Sequence, residues 1–242
     1  MNIALIGYGK MGREIEKIAL ERGHSISHRF DINTPFSALP GDATDCLIDF
    51  STALAVESNV SIAMSGKIPI VVGTTGWSDK VGHVRSMVEQ AKGSLVYASN
   101  FSVGANILFR IVADASAIFN RFDQYDVSIH ETHHAMKKDA PSGTALTLAQ
   151  KVLTAIERKN KITSTSASPK ELFVSSSRVG TVVGEHTVRF NSQADDIAIS
   201  HTAHSRSGFA LGAVLAAEWI VKRKGFFTFE ELLWGEKETV SF

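Results

Sequence analysis

The first hundred residues alternate between short apolar runs and segments whose apolar residues recur every three to four positions. The short runs predict buried strands, and the periodic segments predict helices that cover them. A regular strand–helix alternation indicates a parallel sheet with helices on both faces. The predicted strands are Asn2–Ile6, Ser25–Phe30, Cys46–Asp49, 68–72 and 95–98, and the predicted helices are 11–21, 52–64 and 78–91, with Ser51 and Ser78 as N-caps.

From about Val103 the pattern changes. A helical period around residues 107–115 is followed by the alternating strand residues Tyr125, Val127 and Ile129, and a helix is predicted from Gly143 towards Ile156. After a polar loop at 160–169, three antiparallel strands are predicted at 171–177, 181–190 and 196–202, with a turn at 178–180.

The chain is predicted to close with a helix at 209–222 and a short acidic and aromatic tail. These patterns predict an α/β chain with two domains. Residues 1–102 plus 206–242 are expected to form a Rossmann-like, doubly wound parallel sheet, and residues 103–205 an α+β domain.

Composition narrows the class of protein. Lys+Arg and Asp+Glu both number 25, so no excess charge attracts the chain to nucleic acid or to an anionic membrane. The single cysteine, Cys46, excludes an internal disulfide framework and fits a reducing compartment. With no signal-peptide pattern and no long apolar span in the sequence, we expect a cytoplasmic protein with no membrane partner.

A glycine-rich loop follows the first predicted strand. Gly7-Tyr8-Gly9-Lys10-Met11-Gly12 matches G-x-G-x-x-G and opens a helix, where backbone N–H groups can approach a pyrophosphate. Asp31 ends the second strand, where an acid accepts hydrogen bonds from ribose hydroxyls. The glycine pattern alone also fits plain strand-to-helix packing, but the strand, helix and acid together favour a dinucleotide.

Two further segments follow later strands. They are Gly73-Thr74-Thr75-Gly76 and Ala98-Ser99-Asn100-Phe101. Such residues also make ordinary turns. Because ligands of open α/β sheets bind at the carboxyl ends of strands, their shared placement favours contact with the same cofactor.

The segment from His130 to Ala145 carries the densest chemistry. His130-Glu131-Thr132-His133-His134 spells H-E-x-x-H, the motif of zinc proteases, which requires a helix. Here an alternating strand pattern precedes it, and Pro141 follows closely, so no metal is expected.

The same segment offers acid–base groups and an anion site. His133, His134 and Lys137 are protonatable and are predicted on one loop, and Ser142-Gly143-Thr144 opens a helix whose N–H groups can hold a carboxylate. A small dicarboxylate that is reduced by hydride and then protonated would use all of them. Lys138 is interpreted as a solvated charge.

At this point a family resemblance is evident. Residues 131–145 resemble E-x-H-H-x-x-K-x-D-x-P-S-G-T-A, a long signature specific to dihydrodipicolinate reductases. The resemblance spans nearly the whole chain in the expected order. It also covers 7–12, 49–51, 73–76, 100–104, 184–187, 205–206 and Phe209.

The resemblance implies roles for individual residues. His133 would be the acid/base and Lys137 the proton donor, while His134, Ser142, Gly143 and Thr144 would bind the substrate carboxylates. The cofactor would lie on the glycine loop, Asp31 and the two later segments, that is on Gly7, Tyr8, Gly9, Lys10, Met11, Gly12, Asp31, Gly73, Thr74, Thr75, Ala98, Ser99, Asn100 and Phe101.

The resemblance also implies a reaction and an assembly. Members reduce the cyclic imine formed from 4-hydroxy-tetrahydrodipicolinate by loss of water, in lysine and diaminopimelate biosynthesis, and typically form homotetramers through the central sheet. Residues 1–102 plus 206–242 would then be the dinucleotide-binding domain, and residues 103–205 the substrate-binding and oligomerisation domain. The glycine loop is one residue shorter than is common in the family, with Lys10 in place of an Arg, and Ile32 follows the ribose acid where some members have Arg. The resemblance therefore allows either NADH or NADPH as the cofactor.

Two alternatives to this reductase function are considered. They are another NAD(P)-dependent amino-acid-pathway oxidoreductase and a non-catalytic dinucleotide sensor.

Overall fold

The computed structural model describes residues 1–39, 44–165 and 168–235. They form two compact units, one containing Met1–Val103 and the chain from Ser207, the other Gly104–Arg206. These limits lie within one residue of the expected boundaries, and residues 40–43, 166–167 and 236–242 of the expected domains lie outside the described residues. None of the helices in the described part combines the length and apolar character that crossing a bilayer requires.

The first unit is built on a six-stranded parallel sheet. Its strands are β1 (Asn2–Ile6), β2 (Ser25–Phe30), β3 (Cys46–Asp49), β4 (Ile70–Val72), β5 (Ser94–Tyr97) and β11 (Gly225–Thr228). Their order across the sheet is β11-β5-β4-β3-β1-β2. Its helices are α1 (Lys10–Glu21), α2 (Val56–Ser65), α3 (Val81–Gln90), α6 (Ser207–Ile220) and α7 (Phe229–Trp234).

Both faces of this sheet are covered, as the continuous apolar strands predict. In β1, Ile3 and Leu5 join a buried cluster with α1 and α6, while Ala4 and Ile6 join a second cluster with α2 and α3. Alternate residues of one strand therefore belong to different cores, which is the signature of a doubly wound sheet. The predicted Rossmann-like class is confirmed.

Helix starts are less accurately predicted. Neither Ser51 nor Ser78 is an N-cap: α2 begins at Val56 after Ala55, and Ser78 opens a 3₁₀ turn that precedes α3. The backbone N–H of Ser51 donates instead to Asp49 and to Thr74, at 2.8 Å each, which holds the serine in the loop after β3. The predicted tail also contains regular structure, because β11 extends the sheet and α7 follows it.

The second unit contains a five-stranded mixed sheet. Its elements are α4 (Val103–Phe119), β6 (Asp126–His133), α5 (Gly143–Ala155), β7 (Lys161–Thr163), β8 (Glu171–Arg178), β9 (Gly184–Asn191) and β10 (Asp196–Ala203). The order of the strands across the sheet is β10-β9-β6-β8-β7. Apolar residues of α4 and α5 share one buried cluster with the inward residues of β6, β8 and β9, so both helices cover the same face.

Two predictions for this unit were wrong. Part of the predicted loop at 160–169 is the short strand β7, which pairs with β8. The predicted strand 171–177 is not antiparallel to its neighbours, because β8 pairs in parallel with both β6 and β7. The turn after Arg178 crosses the end of β6, where Val179 donates to the carbonyl of His133 at 2.8 Å, so β6 separates β8 from β9.

Candidate active site

The expected cofactor segments meet at the carboxyl edge of the parallel sheet. From β1 the chain continues to β2 on one side, whereas β3, β4 and β5 lie on the other, so the order reverses between β1 and β3. Such a switch point is where open α/β sheets bind ligands. The glycine loop follows β1 at this point, Asp31 follows β2, and the segments at 73–75 and 98–101 follow β4 and β5.

The glycine loop is shaped by close backbone contacts. Gly7 has φ 91°, and a Cβ there would lie 2.3 Å from the carbonyl oxygen of Phe50. A Cβ at Gly12 would lie 2.7 Å from the carbonyl oxygen of Gly7. At Gly9, the residue before α1, a Cβ would meet nothing within 4 Å. The loop is therefore tightly packed below and open at the helix N-terminus, a cradle that fits a pyrophosphate.

The acid after β2 is exposed and ionised. Oδ1 of Asp31 accepts hydrogen bonds from the backbone N–H groups of Asn33, at 2.8 Å, and Thr34, at 3.0 Å. These bonds lower the pKa of Asp31, so its carboxylate is charged at neutral pH and can accept from ribose hydroxyls. Arg29 pairs with Glu16, which also accepts from the hydroxyl of Tyr8.

Among the later segments, two predicted contact residues point inward. The Thr74 hydroxyl donates to the buried Asp49 carboxylate at 3.0 Å, and Phe101 is 1% exposed and packs on Phe229. Asn100 accepts from the backbone N–H of Ser102 at 2.8 Å. Thr75 and Ser99 are exposed, while Gly73 and Ala98 are half-buried. The side chains of Thr74 and Phe101 therefore pack inside the first unit and support the loops at the carboxyl edge of its sheet.

In the second unit the acid–base residues begin on a strand. The inward positions of β6 are Val127, Ile129, Glu131 and His133, all buried. His133 is the last residue of β6, so the prediction that it lies on a loop with His134 and Lys137 was wrong. A strand places His130 and Glu131 on opposite faces, and the helical H-E-x-x-H of a zinc protease is absent from this segment.

The residues after β6 form the predicted loop and helix start. The ammonium of Lys137 lies 2.8 Å and 2.9 Å from the two oxygens of Asp139, and its side chain is 22% exposed. Lys138 is exposed and His134 is half-buried. Ser142 caps α5, its hydroxyl accepting from the N–H of Ala145 at 3.2 Å, so the predicted helix start is present.

A carboxylate links these elements. Glu131 is fully buried, and its Oε1 accepts from Arg178 at 2.8 Å and from the backbone N–H of Ser142 at 3.1 Å. Its Oε2 contacts Nδ1 of His133. Burial raises the pKa of Glu131, but the bonds from Arg178 and Ser176 outweigh it and bring the pKa to about 2. Burial lowers the pKa of His133, which the charge of Glu131 opposes.

His186 completes the buried group. It stands opposite Glu131 on β9, and its Nε2 lies 3.1 Å from the Ser142 hydroxyl. Burial is the first cause that lowers its pKa to about 4, so it is neutral at pH 7. No role was predicted for Glu131, Arg178 or His186. The signal was available for Glu131 and His186, because each sits at an inward strand position among apolar residues.

The same group bears on metal binding. Glu131, His133 and His186 offer ligand atoms within 4.8 Å of one another. A cation there would compete with Arg178 for Glu131, because the guanidinium already bonds to that carboxylate at 2.8 Å. We assign no metal, and its absence stays a prediction.

Comparison with known sequences places both halves of the chain in one family. Models for the N-terminal and C-terminal parts of dihydrodipicolinate reductase match residues 1–101 and 104–233. A 4-hydroxy-tetrahydrodipicolinate reductase of Christiangramia forsetii is 40% identical, over 96% of this chain and 98% of that protein. The one from Archaeoglobus fulgidus is 37% identical, over 96% of this chain and 100% of that protein.

Solved structures agree at the level of the fold. A dipicolinate-bound dihydrodipicolinate reductase from Paenisporosarcina sp. TG-14 has a TM-score of 0.78 at 21% identity, covering 96% of this chain and 99% of that one. A diaminopimelate (DAP) dehydrogenase from C. glutamicum has a TM-score of 0.53 at 13% identity, covering 96% and 93%. The family models and the close relatives together carry the assignment: the chain belongs to the dihydrodipicolinate reductase family.

Proposed function

We propose that the chain reduces 4-hydroxy-tetrahydrodipicolinate, through its dehydrated cyclic imine, to tetrahydrodipicolinate in lysine and diaminopimelate biosynthesis. The observation that carries this is the match of both family models across residues 1–101 and 104–233, joined by named reductases at 37–40% identity. His133, whose ring lies against the buried Glu131, and Lys137 supply the acid–base groups that such a reduction needs.

A nicotinamide dinucleotide is the proposed cofactor, and the residues fit one. The open N-terminus of α1 at Gly9 suits the pyrophosphate, and the charged Asp31 suits the adenosine ribose. The chemistry that the bound cofactor supplies is a hydride. Thr75 and Ser99 are exposed at the same sheet edge and are assigned to the remainder of the cofactor, together with the backbone of their loops.

The substrate class follows from the start of α5. The Paenisporosarcina protein binds dipicolinate, a planar dicarboxylate. In this chain the N-terminus of α5, at Ser142, Gly143 and Thr144, is assigned to a substrate carboxylate because a helix N-terminus favours anions. His134 is assigned to the same substrate.

The acid–base residues act after hydride addition. Reduction of a conjugated imine leaves an electron-rich, enamine-like intermediate that must gain a proton before release. Lys137 carries ammonium protons, and His133 at the end of β6 can donate or relay one.

Turnover tests the proposal directly. The purified protein is mixed with freshly synthesised substrate and reduced cofactor, and the fall in NAD(P)H absorbance is followed. We expect substrate-dependent oxidation. Another amino-acid-pathway oxidoreductase would instead turn over a different imino or keto acid, and a dinucleotide sensor would bind NADH without consuming it. Either of those results would refute the proposal.

Cofactor choice is a separate prediction. We expect NADH to be used well, because Asp31 carries its charge at the ribose and Ile32 follows it. Arg29 is already paired with Glu16, although Lys10 and Arg13 are exposed and can attract a 2′-phosphate. Comparing kcat/KM for the two cofactors decides. A preference for NADPH above about a hundredfold, roughly 2.7 kcal/mol, would contradict this pocket assignment.

Assembly and location complete the proposal. We assign a homotetramer on the family resemblance, and the edge strand β10 of the mixed sheet supports it because Asp196, Ile197 and Ala198 are exposed. Sedimentation is expected to give about four times the 26.2 kDa of one chain, and a monomer would contradict it. The proposed location is the cytoplasm, where Cys46 stays a free thiol.

A further inference from the structure

Three adjacent strands bring charged and polar groups to the imidazole of His133. Across β6 and β8, His133 is paired with Arg178, and across β6 and β9, Glu131 is paired with His186. The side chain of Glu131 lies two residues before His133 on the same inward face of β6. Strand register alone therefore assembles the group.

Glu131 is held in one position by two hydrogen bonds, one of them from an arginine that is itself anchored. Oε1 accepts from Arg178 at 2.8 Å and from the backbone N–H of Ser142 at 3.1 Å. Arg178 in turn donates to the carbonyls of Ser177, at 2.7 Å, and Asp139, at 2.6 Å. With these bonds in place, the remaining oxygen of Glu131, Oε2, lies in contact with Nδ1 of His133, and both atoms are buried without a hydrogen-bond partner among the described residues, so this contact is the one interaction open to each of them.

This contact determines which ring nitrogen of His133 carries the proton. An ionised carboxylate only accepts hydrogen bonds, so Nδ1 must be the donor to Glu131. In neutral imidazole, Nε2 is then the acceptor nitrogen. Nε2 lies beside Gly184, where a Cβ would stand 3.1 Å away, so the absence of a side chain at this residue leaves space next to the reactive nitrogen.

We propose that Glu131, anchored by Arg178, is a positioning residue that holds His133 in the Nδ1–H tautomer and presents Nε2 for proton transfer. The proposal rests on the reductase function above. It adds a role for Glu131 and Arg178, to which the family resemblance assigned none. Glu131 does not exchange a proton with the substrate. It fixes the orientation and protonation pattern of the residue that does.

The surrounding charges predict the direction of a pH effect. The groups that face His133 are Glu131 on its own strand, Arg178 on β8, His186 on β9 and Lys137 in the following loop. Glu131 raises the pKa of His133, whereas Lys137 and Arg178 lower it. Removing the charge of Glu131 leaves the positive groups unopposed. The pH limb that reports His133 therefore moves to lower pH, whether His133 acts as acid or base.

The test combines a matched set of variants. Glu131→Gln is expected to lower kcat by about tenfold or more and to move the His133 limb down by about one pH unit. Glu131→Asp, which keeps the charge, restores the limb towards wild type with partial activity. Glu185→Gln is the control, since Glu185 lies on β9 next to His186 but at an outward position, and it leaves both readouts unchanged.

A spectroscopic readout separates this inference from the reductase function. In ligand-free protein with ¹⁵N-labelled histidine, wild-type His133 is expected to show the Nδ1–H tautomer, with its signals identified by their loss in His133→Asn. Arg178→Lys and Glu131→Gln are expected to populate the other tautomer. A wild-type Nε2–H tautomer overturns the proposal even if no variant folds, as does an unchanged pH limb in a folded Glu131→Gln. Lack of turnover by wild type would refute the function alone.

Discussion

Replacing His133 or Lys137 by alanine is expected to lower kcat by at least about tenfold, because a positioned acid typically contributes a 10²–10⁴-fold effect. His133 ends β6 with its ring against Glu131, and Lys137 follows four residues later, with its ammonium held by Asp139. Each alanine variant would lack one of the side chains proposed to supply the proton that is needed after hydride addition. The affinity for NADH should stay near wild type, because the assigned cofactor residues belong to the other compact unit. Steady-state kinetics and cofactor titration measure both.

Lys138→Ala is the matched control for this pair. It removes the same charge one residue later, from a side chain that is exposed, and it should leave kcat within about twofold of wild type, as expected of a surface substitution. If Lys138→Ala strongly lowers kcat and Lys137→Ala leaves it unchanged, the alignment of this segment with the family signature is wrong.

The strands of the parallel sheet were predictable because both of their faces are buried. Asn2–Ile6 was predicted at its observed limits. Ile3 and Leu5 enter one core and Ala4 and Ile6 the other, so residues 3–6 form an apolar run without a polar position. Helix starts depend on weaker local preferences. Ser51 is a residue type that often caps helices. Here its backbone N–H donates to Asp49 and Thr74, which holds it in the loop after β3, before α2 begins.

The start of the last helix carries a local sequence signal. Thr228 and Glu231 form a capping box, the T-x-x-E pattern at the start of α7. The preceding strand, Gly225–Thr228, has four residues and is fixed by pairing with β5, which local sequence does not specify. The parallel pairing of β8 also depends on partners that the local sequence does not specify. β8 and β9 follow each other in the sequence, but β6 lies between them in the sheet.

The active-site residues divide in the same way. His133 and Lys137 belong to one contiguous signature and could be assigned from it. Glu131 continues the two-residue spacing of Val127 and Ile129, so its inward position could be predicted from the sequence. Its partner Arg178, however, lies 47 residues further along the chain. Only the register of three strands brings them together, so the contacts that hold the His133 imidazole are a property of the fold.

Gly212→Ala is expected to have the largest effect on stability among substitutions outside the chemistry. Gly212 is buried in α6, and a Cβ there would lie 1.8 Å from the carbonyl oxygen of Phe101 and 3.0 Å from the ring of Phe229. A backbone atom cannot rotate away as a side chain can, so α6 must shift from the core that it shares with β1 and α1. We expect the free energy of unfolding to fall by about 3 kcal/mol or more.

Gly208→Ala is the matched control, since it lies one helical turn earlier in α6. A Cβ there would meet only the Ser102 hydroxyl, at an ordinary contact distance of 3.6 Å. The change should stay within about 1 kcal/mol, because alanine favours the helix by about that much over glycine. All three tryptophans, Trp77, Trp219 and Trp234, lie in the same compact unit, so their fluorescence in urea reports its unfolding. Equal midpoints for the two variants would mean that α6 tolerates a side chain against Phe101, and that the glycine is not what allows this close packing.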